Sequence, residues 1–199
     1  MDSGPEFDFV EALHERYGTD SPVQETVMNK HNTEWDVLYP ISSFLDTYRF
    51  DLPPNNFVWP RADIQAEETL GDGTRKLDLR LNFTGIVWPI LALNAEIVDW
   101  SFDFTPPAGY RRHHIKMATG VDTPIVDLSL TIKSGPKDKL PIHYVGIDLN
   151  QMVPGTAKEL GPDMPGSIML MDLQEWAKEM YDDSLEILTY AAVAGIIEV

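Results

Sequence analysis

Arg111-Arg112-His113-His114-Ile115-Lys116 is the densest run of chemically capable side chains in the sequence, a cationic island in a strongly acidic chain. Guanidinium groups make bidentate contacts with carboxylates and phosphates, so Arg111, Arg112, His113 and Lys116 are candidate binding residues for an anion or an acidic partner. The competing reading is internal charge complementarity with the surplus carboxylates. The paired histidines suggest a metal. Neighbours on an extended chain project to opposite faces, however, so His113 and His114 are not expected to share one ion, and no metal site is assigned.

Other chemistry finds little to build on. His14, His31 and His143 are scattered, with no partner at zinc-ligand spacing. There is no cysteine for thiol catalysis and no Gly-x-Ser-x-Gly elbow. Asp122-Thr123-Pro124 begins like an aspartic-protease motif but lacks its glycine and a second copy. Gly71-Asp72-Gly73 is followed by neither a helix nor a lysine at P-loop spacing, so a turn is expected there. Carboxylates are plentiful, but an acid/base pair needs a separation that sequence does not fix. No catalytic residue and no cofactor are assigned to this chain. Asn82-Phe83-Thr84 is a formal N-glycosylation sequon. The aromatic stretch from Trp88 to Trp100 reads as core packing, with a ligand cavity as the alternative.

The 199 residues suffice for one domain with a real core. A composition of 43% hydrophobic and 10% aromatic residues argues against wholesale disorder. A net charge of −17 and a pI near 4.4 argue against attraction to nucleic acid or anionic lipid. The start of the chain has no signal-peptide pattern, and no apolar run is long enough to span a bilayer.

Elements that must carry these residues can be read from periodicity. Ser3 with Glu6, and apolar Phe9, Val10, Leu13 and Tyr17, predict an N-terminal helix, followed by a polar linker to residue 34. The rest, 35–199, reads as a β-rich domain. Leu77, Leu79, Leu81 and Phe83 alternate with polar residues, and the double-glycine turn would join them to a strand around Ile64. Ile86 to Phe104 is apolar, interrupted by Pro89, with a bulge or bend expected near Val98. Val126, Leu128, Leu130 and Ile132 form another strand, with Ile142, Tyr144 and Ile147 as its expected hairpin partner. Met169, Leu173, Trp176 and Met180 predict an amphipathic helix over about 167–181. Leu185 to Val199 reads as a buried closing strand. The class is mainly β: an antiparallel sandwich or barrel-like sheet pair with two helices.

The order of short motifs carries a resemblance. Trp100-Ser101-Phe102 leads through Pro106-Pro107-Ala108-Gly109 to Arg112-His113-His114-Ile115-Lys116, then Gly120-Val121-Asp122-Thr123 and Val126-Asp127-Leu128. Tyr144-Val145-Gly146-Ile147, a helix centred on Trp176, and Gly195-Ile196-Ile197-Glu198-Val199 complete it. From about Trp35 onward this resembles the C-terminal, non-catalytic, lumen-facing region of fungal membrane-anchored zinc metallopeptidases of the endoplasmic reticulum and vacuole. The resemblance implies a parent peptidase whose two zinc ions, their ligands and the general base lie in another domain. None of those residues maps onto this sequence. It also implies an endoplasmic reticulum or vacuolar lumenal setting, no activity in the isolated chain, and a role in packing on the parent's catalytic domain or binding a protein partner. Two other readings stand beside it: a free-standing β-sandwich binding an acidic ligand, and a small cofactor-independent enzyme with an aromatic-lined cavity.

Overall fold

The computed structural model describes residues 11–12, 14–16, 24–26, 47–49, 58–71, 73–120, 122–133, 138–148, 165–181 and 191–199. The chain divides into two compact units, one of 1–56 with 157–187, the other of 57–156 with 188–199.

In the first unit, residues 11–12 and 14–16 are helical, at the C-terminal end of the helix expected from the periodicity. Its proposed cap at Ser3 lies outside the described residues. β1 (Gln24–Thr26) pairs antiparallel with β2 (Thr47–Arg49). β1 thus falls within a stretch whose polarity reads as linker, because three residues are too few to show a period. Helix α1 (Pro165–Tyr181) lies in the second segment of this unit. Leu173 and Ala177, four apart, are its buried line, whereas Met180 is exposed. Arg16 forks onto Asp172 through Nε and Nη2 at 2.8–3.1 Å.

The second unit is a β-sandwich. β3 (Arg61–Thr69), β4 (Thr74–Asn82), β6 (Ile97–Trp100) and β8 (Ile125–Lys133) form one sheet in the order β3-β4-β8-β6. β5 (Ile86–Ala95), β7 (Arg111–Lys116), β9 (Pro141–Asp148) and β10 (Ala192–Glu198) form the other, in the order β10-β9-β5-β7. Every pairing is antiparallel, and neither sheet closes into a barrel.

Alternation explains the core. Leu77, Leu79 and Leu81 of β4 lie opposite Leu130, Leu128 and Val126 of β8, and all but the half-buried Val126 are closed to solvent. Facing them, Leu91 sits between Ile115 and Tyr144, and Leu93 between His113 and Ile142. These side chains belong to one apolar cluster, where each fully buried aliphatic residue contributes roughly 1.5–3 kcal/mol of transfer free energy. Ile90, Ala92, Val145 and Ile147, on the other face of β5 and β9, are buried too, so these strands read as continuous apolar runs.

The double-glycine turn joins β3 to β4 as expected, closed by Leu70 N–H to Thr74 O at 2.8 Å, with Gly73 at φ 82°. Two expected irregularities in the 86–104 stretch are also present. β5 is bulged between Val87 and Ile90, where Pro89 has no N–H to give, and β6 is bulged between Ile97 and Asp99.

Two expectations fail. β8 and β9 are not a hairpin: β8 lies between β4 and β6, and β9 between β5 and β10, so the chain crosses from one sheet to the other. β9 buries apolar side chains on both faces, which suits a central place in its own sheet better than pairing beside half-polar β8. The closing strand, whose expected first residues 185–190 lie outside the described residues, is not buried over the described part either. β10 is an edge strand, with Ile196 59% exposed and only Val199 withdrawn from solvent.

Candidate functional site

The cationic run is β7, the edge strand beside β5. Strand pleating divides it. His113 and Ile115 point into the sandwich, and Arg111 lies on their side at the strand's start. Arg112, His114 and Lys116 fall on the other face, opposite Asn94, Ala92 and Ile90. Successive side chains on one face stand roughly 7 Å apart, so Arg112, His114 and Lys116 make a row of cationic positions with a period of two. An extended acidic segment with alternating carboxylates has the same period.

Arg111 and Arg112 therefore do not converge on one ligand atom. Arg111 donates from Nη2 to the Ala108 carbonyl at 2.7 Å, which fixes it to the preceding loop. His113 is 4% exposed and its Nε2 meets the Ala95 carbonyl at 3.1 Å. Burial pushes its pKa below the ordinary value, the hydrogen bond to Ala95 opposes this, and the charges of Arg111 and His114 lower it further. A neutral ring donating Nε2–H to that carbonyl fits both observations. Lys116 is exposed at the end of the row.

An aromatic group stands behind β7 in the same unit. Trp100 packs edge-on to Phe102, Phe104 and His113 at centroid distances of 5.3, 5.0 and 6.1 Å. Its indole N–H donates to the Phe104 carbonyl, closing the loop that carries the chain from β6 towards β7. Phe104 and Tyr110 on that loop are 62% and 74% exposed. Trp100 and Phe102 pack on the core cluster, as alternation predicts.

Trp88 belongs to neither group. It sits in the β5 bulge at φ 51°, the only non-glycine residue with positive φ among the described residues, and is 54% exposed. A bulky aromatic residue in that region carries backbone strain. Sequence gave one signal for the place, since the following Pro89 forces an interruption of the ladder, but none for the sign of φ.

Asn82 ends β4, and its Oδ1 accepts from Thr84 N–H at 3.0 Å and Thr84 Oγ1 at 2.7 Å. Among the described residues no group of three or more His, Asp or Glu is gathered as for a metal ion, and no helix is long and apolar enough to cross a membrane.

No family model matches the chain, and no solved structure matches it. The chain is 26% identical over 159 residues, 79% of its length, to a curated protein of Schizosaccharomyces pombe named "Putative endoplasmic reticulum metallopeptidase 1". That match spans 19% of the relative's length, so the chain corresponds to a partial region of it.

Proposed function

We propose that this chain is a non-catalytic, lumen-facing accessory region of a membrane-anchored zinc metallopeptidase, where it packs on its own catalytic domain or receives a protein partner. The observation that carries the reading is the partial match: most of this chain aligns with less than a fifth of the protein named "Putative endoplasmic reticulum metallopeptidase 1". The resemblance in the order of motifs supports the same assignment. Zinc chemistry belongs, in this reading, to the parent's catalytic domain and draws no ligand from these residues.

The partner-facing element is β7. Its row of Arg112, His114 and Lys116 is an electrostatic complement for an acidic segment, in a chain whose net charge repels most acidic proteins. Binding by this row supplies selectivity and encounter rate more than raw affinity.

The reading is tested on the purified chain by metal analysis and a peptidase assay, and on the parent by removing the region. Sub-stoichiometric zinc and no peptide hydrolysis are expected from the chain alone, with reduced assembly or abundance of the truncated parent. Stoichiometric zinc in the isolated chain would sink the assignment. A second reading, a free-standing module for an acidic ligand, rests on the same β7 row. It is distinguished by the coding sequence upstream, where a peptidase domain followed by apolar spans favours the first.

A further inference from the structure

Among the motifs that this function does not absorb, Asn82-Phe83-Thr84 is the one whose geometry goes furthest. The odd-numbered residues of β4 face the core, so Asn82 shares the outer face of its sheet with Asp78 and Arg80. Two polar side chains of that row, Asp78 and Arg80, are held across the sheet. Asp78 accepts from Ser129 Oγ at 2.6 Å, and Arg80 forks onto Asp127 at 2.9 and 3.2 Å. Asn82 instead turns its amide oxygen back onto Thr84, which donates both N–H and hydroxyl to it. Its cross-strand neighbours are the exposed Arg61 and Ile125, the latter 52% exposed. Nδ2 lies across the amide carbon from the engaged oxygen, and among the described residues it has no hydrogen-bond partner.

The turn beneath is fixed. Phe83 is fully buried, its N–H donates to Pro124 O at 2.9 Å, and its carbonyl accepts from Ile86 N–H at 2.8 Å. Gly85, at φ 82°, completes it. A substituent on Nδ2 therefore leaves over the solvent side of the sheet without moving a core residue.

We propose that Asn82 carries an N-linked glycan, an inference that rests on the lumenal setting of the reading above. The co-substrate class is an oligosaccharide on a lipid pyrophosphate. The bond from Nδ2 to the anomeric carbon forms and the anomeric C–O bond breaks. Lipid pyrophosphate leaves with the electron pair, and Nδ2 gives up one proton to a base of the transferase. Because Phe83 is closed to solvent in the fold, transfer precedes completion of the sandwich. The glycan then stands beside β3, an edge strand of nine residues with nearly every side chain exposed, and hinders strand addition there.

The test expresses in a yeast the whole gene that encodes this chain, with and without a reporter sequon inserted on a flexible linker directly after Val199. N-glycans are removed enzymatically and the change in mobility is read. Asn82→Gln and Thr84→Val are each expected to lose one mobility step relative to the wild-type product, in which peptide mapping finds aspartate at position 82 after removal. A glycosylated reporter with unmodified Asn82 overturns this inference and leaves the lumenal reading standing. Neither site modified overturns both. Having two variants on different residues separates loss of the acceptor from a folding defect, because peptide mapping of the wild-type chain needs neither.

Discussion

Gly195 lies directly across the β9–β10 pair from Tyr144, and a methyl group at position 195 would stand 2.5 Å from the phenolic oxygen and 2.8 Å from Cζ. The ring of Tyr144 is buried in the sandwich core, so it has little room to retreat. Gly195→Ala is expected to destabilise the second unit by about 1–3 kcal/mol through overpacking. Adding Tyr144→Phe removes the nearest clashing atom and should recover part of that loss. Urea denaturation of the two single variants and the double variant checks it. Strict additivity would show that the two side chains do not compete for this space.

His113 gives the unit a pH dependence. Its folded pKa lies below the ordinary value near 6.5, so below that pH the unfolded chain binds a proton that the folded chain resists. Stability from this residue is complete above pH 6.5 and declines as pH falls from there through the lower folded pKa. His113→Gln keeps an amide donor for the Ala95 carbonyl and cannot titrate, so its loss of stability between pH 7.5 and 5.5 should be shallower than that of the wild type. Parallel denaturation curves for both proteins across that range would refute the account.

Two ion pairs of one sheet should differ in worth. Arg75 has a 5% exposed side chain, binds Glu67 at 2.8 Å and donates to the Asp138 carbonyl at 2.6 Å. Arg80 and Asp127 pair at 2.9 Å but are about half to two-thirds exposed. The pair raises the pKa of Arg80 and lowers that of Asp127, mainly through its hydrogen bond, yet solvent screens it. Arg75→Ala is expected to cost about 2–4 kcal/mol, since it strips the partners of a buried cation. Arg80→Ala should cost much less than Arg75→Ala, because water screens the pair and solvates Asp127 once its partner is gone. Thermal or chemical melting of the two variants decides the order.

Trp88 offers a test of strain. Trp88→Gly releases the positive-φ penalty while giving up a side chain that is more than half exposed. The two effects nearly offset, with a net change within about 1 kcal/mol in either direction. A loss above about 3 kcal/mol would mean that the indole packs as a core residue does.

For β7, replacing both Arg112 and Lys116 with Ala is expected to weaken binding to an acidic peptide by about 1–2 kcal/mol, roughly five- to thirtyfold. The salt dependence of binding should flatten in the same variant. Titration at two ionic strengths reads both, and an unchanged affinity would remove β7 from the proposed interface.

Legibility of this chain followed solvent. β4 and β8 have one wet face each, so Leu77-x-Leu79-x-Leu81 and Leu128-x-Leu130-x-Ile132 announce strand, register and core side at once. β5 and β9 bury both faces, which erases the period, and their sheet partners were then open to misassignment. Chain order suggested that β9 follows β8 in one sheet, but order along the chain does not fix which sheet a strand enters. The division of the cationic run was readable from alternation alone. The burial of His113 was not, because residue type signals surface while Ile115, two residues on, signals core.

The second unit is interrupted in sequence: β9 and β10 are neighbours in space but separated by the long segment that belongs to the first unit. On a ribosome, β9 emerges with apolar residues on both faces and waits for its outer partner. At 5–20 residues per second the wait is on the order of seconds, and it ends only when Val199, which exchanges backbone hydrogen bonds with Leu140, has appeared. Until then the nascent chain exposes an incomplete sheet edge, and the length of that exposure is set by the insertion between two strands rather than by the strands themselves.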